Sequence, residues 1–233
     1  MKQEKKYEYP LNVTETFDDA NFHIKYCLSF IKKYLTGHIA EIGAGCGSFT
    51  RNYLNKKIDT LTLTEKDESN VKILENKYKD DQKVTVSKKT IFDLQSKFDV
   101  ILYLHVLEHI EEDRLEIEEA SKKLKNNGLL IIMVPAHQEI YGNLDRSVGH
   151  YRRYEKGFFE KRFNSLEKIQ FKYLDSAGYL LYKLNTIFFK KEEIPSKLKI
   201  FIWDKIFTPI SAILDFILGY KFGKCILAIY KKI

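Results

Sequence analysis

Two parts of the sequence combine residue types that do chemistry. The first, AEIGAGCGSFT over residues 40–50, sets an acid, Glu41, two positions ahead of three closely spaced glycines, Gly43, Gly45 and Gly47. A glycine-rich turn that opens a helix offers backbone N–H groups to an anion. An acid at its front edge would repel that anion. The combination calls for a ligand that approaches bare backbone closely and carries positive charge. The second part is LHVLEH over 104–109, with His105 and His109 four residues apart, followed by GNLDRSVGHYRRYEK over 142–156, which holds Asp145 and His150. Histidine titrates near neutrality and is the commonest general base, and a carboxylate can orient it or act as base itself. Histidines at i and i+4 also suit a metal, but no third ligand follows in the local spacing, so no metal is expected. His109 reads equally well as a residue that caps or packs the helix after it.

These residues need a scaffold that brings them to one edge. Apolar runs rich in β-branched residues alternate with helical patterns, the pattern of a parallel sheet covered by helices. Strands are predicted near 38–42, 60–64, 83–87, 98–104, 128–134, 168–174 and 224–230, with helices near 48–56, 68–78, 112–125 and 155–163. A first helix over DANFHIKYCLSFIKKYL has Asp18 or Asp19 as N-cap and Phe22, Tyr26, Phe30 and Ile31 as its apolar face. NNGLLIIMVP reads as a glycine-terminated helix followed by a strand buried on both faces. The expected fold is a Rossmann-like, doubly wound α/β sheet of seven mostly parallel strands. It has an N-terminal helix and a helical insertion, broken by Pro195 and Pro209, before the last strand. No internal repeat or interdomain linker interrupts the 233 residues.

In this arrangement Gly43, Gly45 and Gly47 form the turn at the carboxyl end of the first strand, where open α/β sheets bind ligands. The dinucleotide fingerprint would be G-x-G-x-x-G, and this is G-x-G-x-G behind an acid. S-adenosylmethionine fits it, because its ammonium and its cationic sulfur attract Glu41. The second strand ends in Glu65, placed to accept from ribose hydroxyls, with Asp67 as the alternative. After the third strand, Ile91, Phe92 and Asp93 combine apolar surface for an adenine with an acceptor for its amino group.

EIGAGCGSFT, the strand end TEKD and the run from FDVILYLHVLEH to NNGLLIIMVPAH together resemble a class I S-adenosylmethionine-dependent methyltransferase, over nearly the whole chain. YGNLDRSVGHYRRY and FGKCILAIYKK further resemble a bacterial-type branch with a G-H-Y-R-R-Y loop that acts on small molecules. The resemblance implies a reversed last strand and cofactor contacts at Glu41, Gly43, Gly45 and Gly47, at Glu65 for the ribose, at Asp93 for the adenine, and at Leu104 and His105. Ala44, Lys66 and Leu94 adjoin them. RNA adenine dimethyltransferases begin similarly, but their fourth motif, N-[LP]-P-[YF], is missing from LYLHVLEH. An RNA base methyltransferase is therefore the second reading, and a non-catalytic S-adenosylmethionine-binding module the third.

The 142–156 loop follows the fifth strand and hangs over the same edge. Its Arg152 and Arg153 suit an anionic acceptor, Tyr141, Tyr151, Tyr154 and His150 suit a sugar, and one arginine is expected to meet the substrate while the other pairs with an internal acid. The expected acceptor is a small, polar or anionic molecule such as a sugar, a lipid-linked sugar or a phosphorylated metabolite, methylated on oxygen. The domain plan is 1–37 as an N-terminal helical segment, 38–134 as the cofactor core, 135–163 as acceptor loop and helix, and 190–221 as insertion or lid.

The net charge of +7 is uneven, with −2 over residues 1–150, +3 over 151–180 and +6 over 181–233. Within the basic end, 197–221 carries apolar residues among lysines at helical spacing, from Phe201 to Leu218. It reads as a lid or subunit contact, or as an amphipathic contact with an inner membrane face. Cys27, Cys46 and Cys225 lack disulfide or zinc spacing, which suits a reducing compartment, and MKQEKKYEYP does not open a signal peptide. A cytoplasmic location is expected.

Overall fold

The computed structural model describes residues 20–161, 163–188 and 196–233. Asp18, Asp19 and Pro195 lie outside them. The first helix, α1 (Asn21–Ser29), buries His23, Ile24, Cys27 and Leu28. Of the expected face, Ile31 is buried just past the helix and Tyr26 and Phe30 pack half-buried against the same core, Phe30 edge-on to both Tyr26 and Tyr220, whereas Phe22 is exposed and is corrected. Apolar residues run almost all round this helix, so periodicity could not choose the side that meets the sheet.

The sheet contains β1 (Gly37–Ile42), β2 (Ile58–Thr64), β3 (Val84–Ser87), β4 (Phe98–Leu104), β5 (Leu124–Pro135), β6 (Leu166–Leu174) and β7 (Cys225–Lys232). Their spatial order is β3-β2-β1-β4-β5-β7-β6, with β7 running against both neighbours. The seven strands and the reversal of the last agree with the sequence reading. Continuous apolar runs such as VILYL in β4 are buried on both faces, as central parallel strands require. One core lies on each face of the sheet, around Tyr103, Tyr154 and Phe159 on one side and Leu28, Ile39 and Leu63 on the other.

Three helices on the main path are α2 (Thr50–Tyr53), α3 (Glu68–Tyr78) and α4 (Asp113–Lys123). Asp67 caps α3 by accepting from Asn70 N at 3.0 Å, which removes it as the alternative ribose contact. The expected glycine stop of α4 is also corrected. The helix ends at Lys123, Asn127 takes the left-handed conformation at φ 63°, and Gly128 lies inside β5. A Cβ on Gly128 would stand 2.9 Å from the Lys125 carbonyl and 3.1 Å from that of Phe98, so close backbone approach selects glycine there.

The stretch between β6 and β7 has its polarity reversed. It consists of α7 (Ser176–Phe188), α8 (Lys197–Ile202), a wide turn over Trp203–Phe207 and α9 (Thr208–Ile217), with Pro209 in the first turn of α9 rather than at a break. Asp204, Thr208, Ser211 and Asp215 face inward and are buried. Asp204 accepts from His23 N at 2.8 Å, and Asp215 accepts from Tyr26 OH, Asp175 N and Ser176 N at 2.6, 2.7 and 2.9 Å. Ser211 donates to Asp175 at 2.7 Å, and Lys224 pairs with Asp175 at 3.0 Å. Outward point Leu198, Phe201, Ile206, Ile210, Ile213, Ile217 and Phe216, the last 73% exposed. The apolar stripe therefore does not pack on the sheet as a lid would.

Asp215 joins α9 to α1 and to the end of β6. Asp215→Ala would leave three buried donors without their acceptor, and a loss of about 3 to 5 kcal/mol is expected, the range for uncompensated buried charge networks. Urea unfolding of the variant beside the wild type measures it.

Candidate active site

Parallel register brings three strand ends level. Ile42 of β1 pairs with Thr64 of β2 and Tyr103 of β4, and the turns that follow share one edge. Gly43, Gly45 and Gly47 take φ of 66°, 56° and 82°, the left-handed region that glycine enters without strain. A Cβ on Gly43 would come within 2.8 Å of Val106 Cγ1. The glycine is thus required by a wall of the protein's own, the chain beyond β4, as well as by backbone conformation. Ala44 N donates to the Thr64 carbonyl at 2.9 Å, which anchors the turn on β2.

Glu65 tightens that link. Its Oε2 accepts from Gly45 N at 2.7 Å, and its Oε1 accepts from Lys66 N and Asp67 N at 2.8 Å each. The carboxylate shapes the turn, while the Lys66 side chain lies in solvent. Glu41, 2% exposed, accepts at Oε2 from the hydroxyls of Thr50 and Tyr53, both at 2.5 Å. Burial pushes its carboxyl up to about 7 despite these two donors. Asp93 is exposed and accepts at Oδ2 from Thr90 N and Oγ1, bonds that hold it below the usual carboxylate range. Phe92 beside it presents its ring to solvent, whereas Ile91, Leu94 and Leu104 are buried. Ile91 therefore cannot form the second wall of an adenine slot, a correction to the sequence reading.

This donor set fits S-adenosylmethionine. Three acids stand at three successive strand ends, the half-exposed Gly43 and Gly45 lie between them without side chains, and the exposed ring of Phe92 lies beside the third. Glu41 keeps Oε1 for an ammonium. A pyrophosphate would meet only like charge.

A second cluster forms where β4 ends. His105 has φ 60° and donates its backbone N–H to the Met133 carbonyl at 2.8 Å, so a strained residue is held by the neighbouring strand. A single turn over Leu107–His109 follows and directs Glu108 inward. Glu108 is 1% exposed, and neither oxygen has a hydrogen-bond partner among the described residues. The nearest ring nitrogens are His105 Nδ1 at 3.5 Å and His150 Nε2 at 3.9 Å. His150 comes from the 142–156 loop, which contains the short helix α5 (Asn143–Ser147). Its Nδ1 donates to Asp145 Oδ1 at 2.7 Å, the geometry that leaves Nε2 as the lone-pair nitrogen. Asp145 also accepts from Gly142 N at 3.0 Å and Arg153 Nε at 2.9 Å.

These contacts revise several expected roles. Both arginines pair with internal acids, since Arg153 is buried against Asp145 and Arg152 Nη1 donates to Asp113 at 2.6 Å. The division of one arginine for substrate and one for an internal acid is not what the fold builds. Tyr154 is core, its hydroxyl donating to the Leu107 carbonyl and to Asp113, and Tyr141 donates to the His150 carbonyl at 2.6 Å. Tyr151 is the exposed ring of the loop. Asp145 is kept below the ordinary carboxylate range, against its burial, by His150 and Arg153, and its contacts hold the His150 ring in place. Burial lowers His109 to about 4. His105 is held at about 10, against its own burial, by Cys225 and Glu108. Glu108, which receives these histidines, was missed by sequence reasoning. Its signal was an acid between two histidines in an otherwise apolar run.

Cysteine spacing also concealed a contact. Cys225 at the start of β7 lies with His23 and His105, all three offering ligand atoms within 4.8 Å of one another, and Cys27 Sγ is 3.5 Å from His23 Nε2. Burial would raise the Cys225 thiol, but His105 and His23 bring it down to about 6.

Residues 40–130 match the model of a methyltransferase domain. That match runs from within β1 into β5, 91 of the 233 residues. Among curated proteins none matches its sequence. Three solved structures illustrate the shared fold. A methyltransferase bound to the Trm112 activator of Haloferax volcanii superposes with TM-score 0.65 at 14% identity, over 95% of this chain and 94% of that one. Coclaurine N-methyltransferase, bound to N-methylheliamine and S-adenosylhomocysteine, gives 0.61 at 14% over 96% and 82%. N-methyltransferase NodS from Bradyrhizobium japonicum, with S-adenosylhomocysteine, gives 0.59 at 15% over 97% and 93%.

Two measurements probe the turn. Gly43→Val should abolish cofactor binding in calorimetry, because a side chain in the left-handed region pressed on Val106 displaces the loop. Glu41 is half protonated near pH 7 without ligand, and a cationic ligand favours its ionised form. Affinity should therefore fall as pH drops from 7 to 5.5, by up to about tenfold per unit. Glu41→Gln should flatten the profile.

Proposed function

We propose that the protein methylates a hydroxyl of a small polar acceptor, a sugar or a lipid-linked sugar, at the surface of a membrane. The observation that carries the chemistry is His150, oriented by Asp145 and facing the buried Glu108 beside the glycine turn. Bound at that turn, S-adenosylmethionine supplies a methyl group on an already cationic sulfur. The chain must then align an acceptor oxygen and receive its proton. With Nδ1–H held by Asp145, His150 Nε2 is the atom placed to take that proton. Glu108 stabilises the imidazolium that results. The pairing of both arginines inside the loop weakens the case for a phosphorylated acceptor, and Tyr151 remains as a ring for a sugar face.

The membrane part rests on the reversed helices. Among the described residues no helix is long and apolar enough to cross a membrane. Yet Phe201, Ile206, Ile210, Ile213, Phe216 and Ile217 point outward, and Lys197, Lys199 and Lys221 flank them. An apolar stripe bordered by lysines suits the interface of an anionic bilayer. The inward acids Asp204 and Asp215 are consumed by internal bonds, so they do not offset those lysines at the surface.

Two experiments test this. His150→Gln should lower turnover by about 10²- to 10⁴-fold with cofactor affinity within about twofold, as for loss of a base that touches only the acceptor. Transfer of labelled methyl from S-adenosylmethionine into membrane extracts is the assay, and undiminished transfer would refute the role. For the membrane, wild type should co-sediment with phosphatidylglycerol vesicles at low salt, and Ile213→Asp with Phe216→Asp should remain in the supernatant. Wild type that stays in the supernatant would remove the membrane from the proposal.

A further inference from the structure

The buried Glu108 carboxylate poses a problem of its own. A carboxylate taken out of water needs hydrogen bonds or a cation at bonding distance. This one has both oxygens without a hydrogen-bond partner among the described residues, and its histidine neighbours stand off at 3.5 and 3.9 Å. Around it, Glu108, His109 and His150 each offer one ligand atom, all within 4.8 Å of one another.

Metal–ligand bonds of about 2.0–2.2 Å hold ligand atoms about 3.3–3.6 Å apart in a tetrahedral site, so the three groups need to draw in by about an ångström to close on an ion. The groups behind the ligands match as well. Metal-bound histidines usually give their other ring nitrogen to a carboxylate or a backbone carbonyl. His150 gives Nδ1 to Asp145, itself fixed by Arg153 and Gly142 N, and His109 bonds to the backbone of Gly149. The two rings pack edge-on, 4.6 Å between centroids. The local spacing of His105 and His109 gave no third ligand because the set is assembled differently. His109 joins its neighbour Glu108 and a histidine 41 residues further on.

We propose that Glu108, His109 and His150 bind a divalent transition-metal ion in a two-histidine, one-carboxylate site with open positions. Imidazole and carboxylate together select zinc, manganese, iron or cobalt over magnesium or calcium, which prefer oxygen alone. Next to the glycine turn the ion would hold the acceptor oxygen, a role that rests on the methyl-transfer reading. Binding of the ion does not depend on that reading. With the ion bound the Nε2 lone pair is taken, so the base role of His150 given above is that of the metal-free protein, and the ion would instead make the acceptor hydroxyl it holds more acidic.

The other sulfur- and histidine-bearing cluster, His23, His105 and Cys225, is the control. It carries a sulfur ligand that the proposed site lacks, so the two are told apart by spectrum.

Metal-stripped protein titrated with Co2+ should bind one equivalent per chain, with visible d–d absorption and no thiolate charge-transfer band. Glu108→Gln and His109→Gln, each checked for folding by circular dichroism, should lose the saturable spectrum. Asp145→Asn should weaken it by about 10- to 100-fold, the cost of losing a partner behind a ligand. Cys225→Ser should leave it intact. Folded wild type without stoichiometric binding would overturn the site, and so would a spectrum with thiolate bands that Cys225→Ser abolishes. Methyl transfer without metal would leave the base role of His150 standing, and metal binding without methyl transfer would leave this site standing.

Discussion

The alignment of three parallel strands sets everything at the functional edge. Because Ile42 pairs with both Thr64 and Tyr103, the chain leaves β1, β2 and β4 at the same level and must turn three times in a small space. Crowding then decides residue types. Gly43 cannot carry a side chain because Val106 occupies the place, and His105 is forced to positive φ because the chain turns there while its N–H remains on Met133. A shift of one residue in the β1–β4 register would separate the glycine turn from the histidine cluster.

Buried carboxylates divide the remaining work. Glu65 holds three backbone amides, Asp145 holds a histidine and an arginine, and Asp215 holds three donors from two elements. Each is engaged by the protein's own donors. Glu41 and Glu108 are buried with bonding capacity left over. A fold that removes a carboxylate from water and leaves it incompletely paired has a use for it, because the desolvation cost runs to several kcal/mol unless a ligand offsets it.

Much of the fold was legible because parallel strands announce themselves. VILYL and LLIIMV are apolar throughout, helices separate them, and strand ends were placed to within a few residues. The glycine turn was legible for the same reason, since three glycines between a strand and a helix have few uses besides a ligand-binding turn. The site beyond it was less so. Glu108 is one acid in an apolar run, and its importance depends on His150, which only the loop's path brings near. The arginines were misread because Asp113, the partner of Arg152, lies on α4, 39 residues away, and no local pattern records that contact. Cys225 and His23, at opposite ends of the chain, meet through the sheet order alone.

The reversed polarity of α8 and α9 inverts the usual rule of substitution tolerance. In most helices polar changes are tolerated outside and apolar changes inside. Here the inward positions, Asp204, Thr208, Ser211 and Asp215, require hydrogen-bonding side chains, because their partners are backbone amides, a backbone carbonyl, a tyrosine hydroxyl and the Asp175 carboxylate. The outward positions are exposed, so a charge there would leave the fold undisturbed. The fold by itself therefore obliges the interior of this segment, and not its surface, to stay polar, the sequence profile of a helix turned inside out.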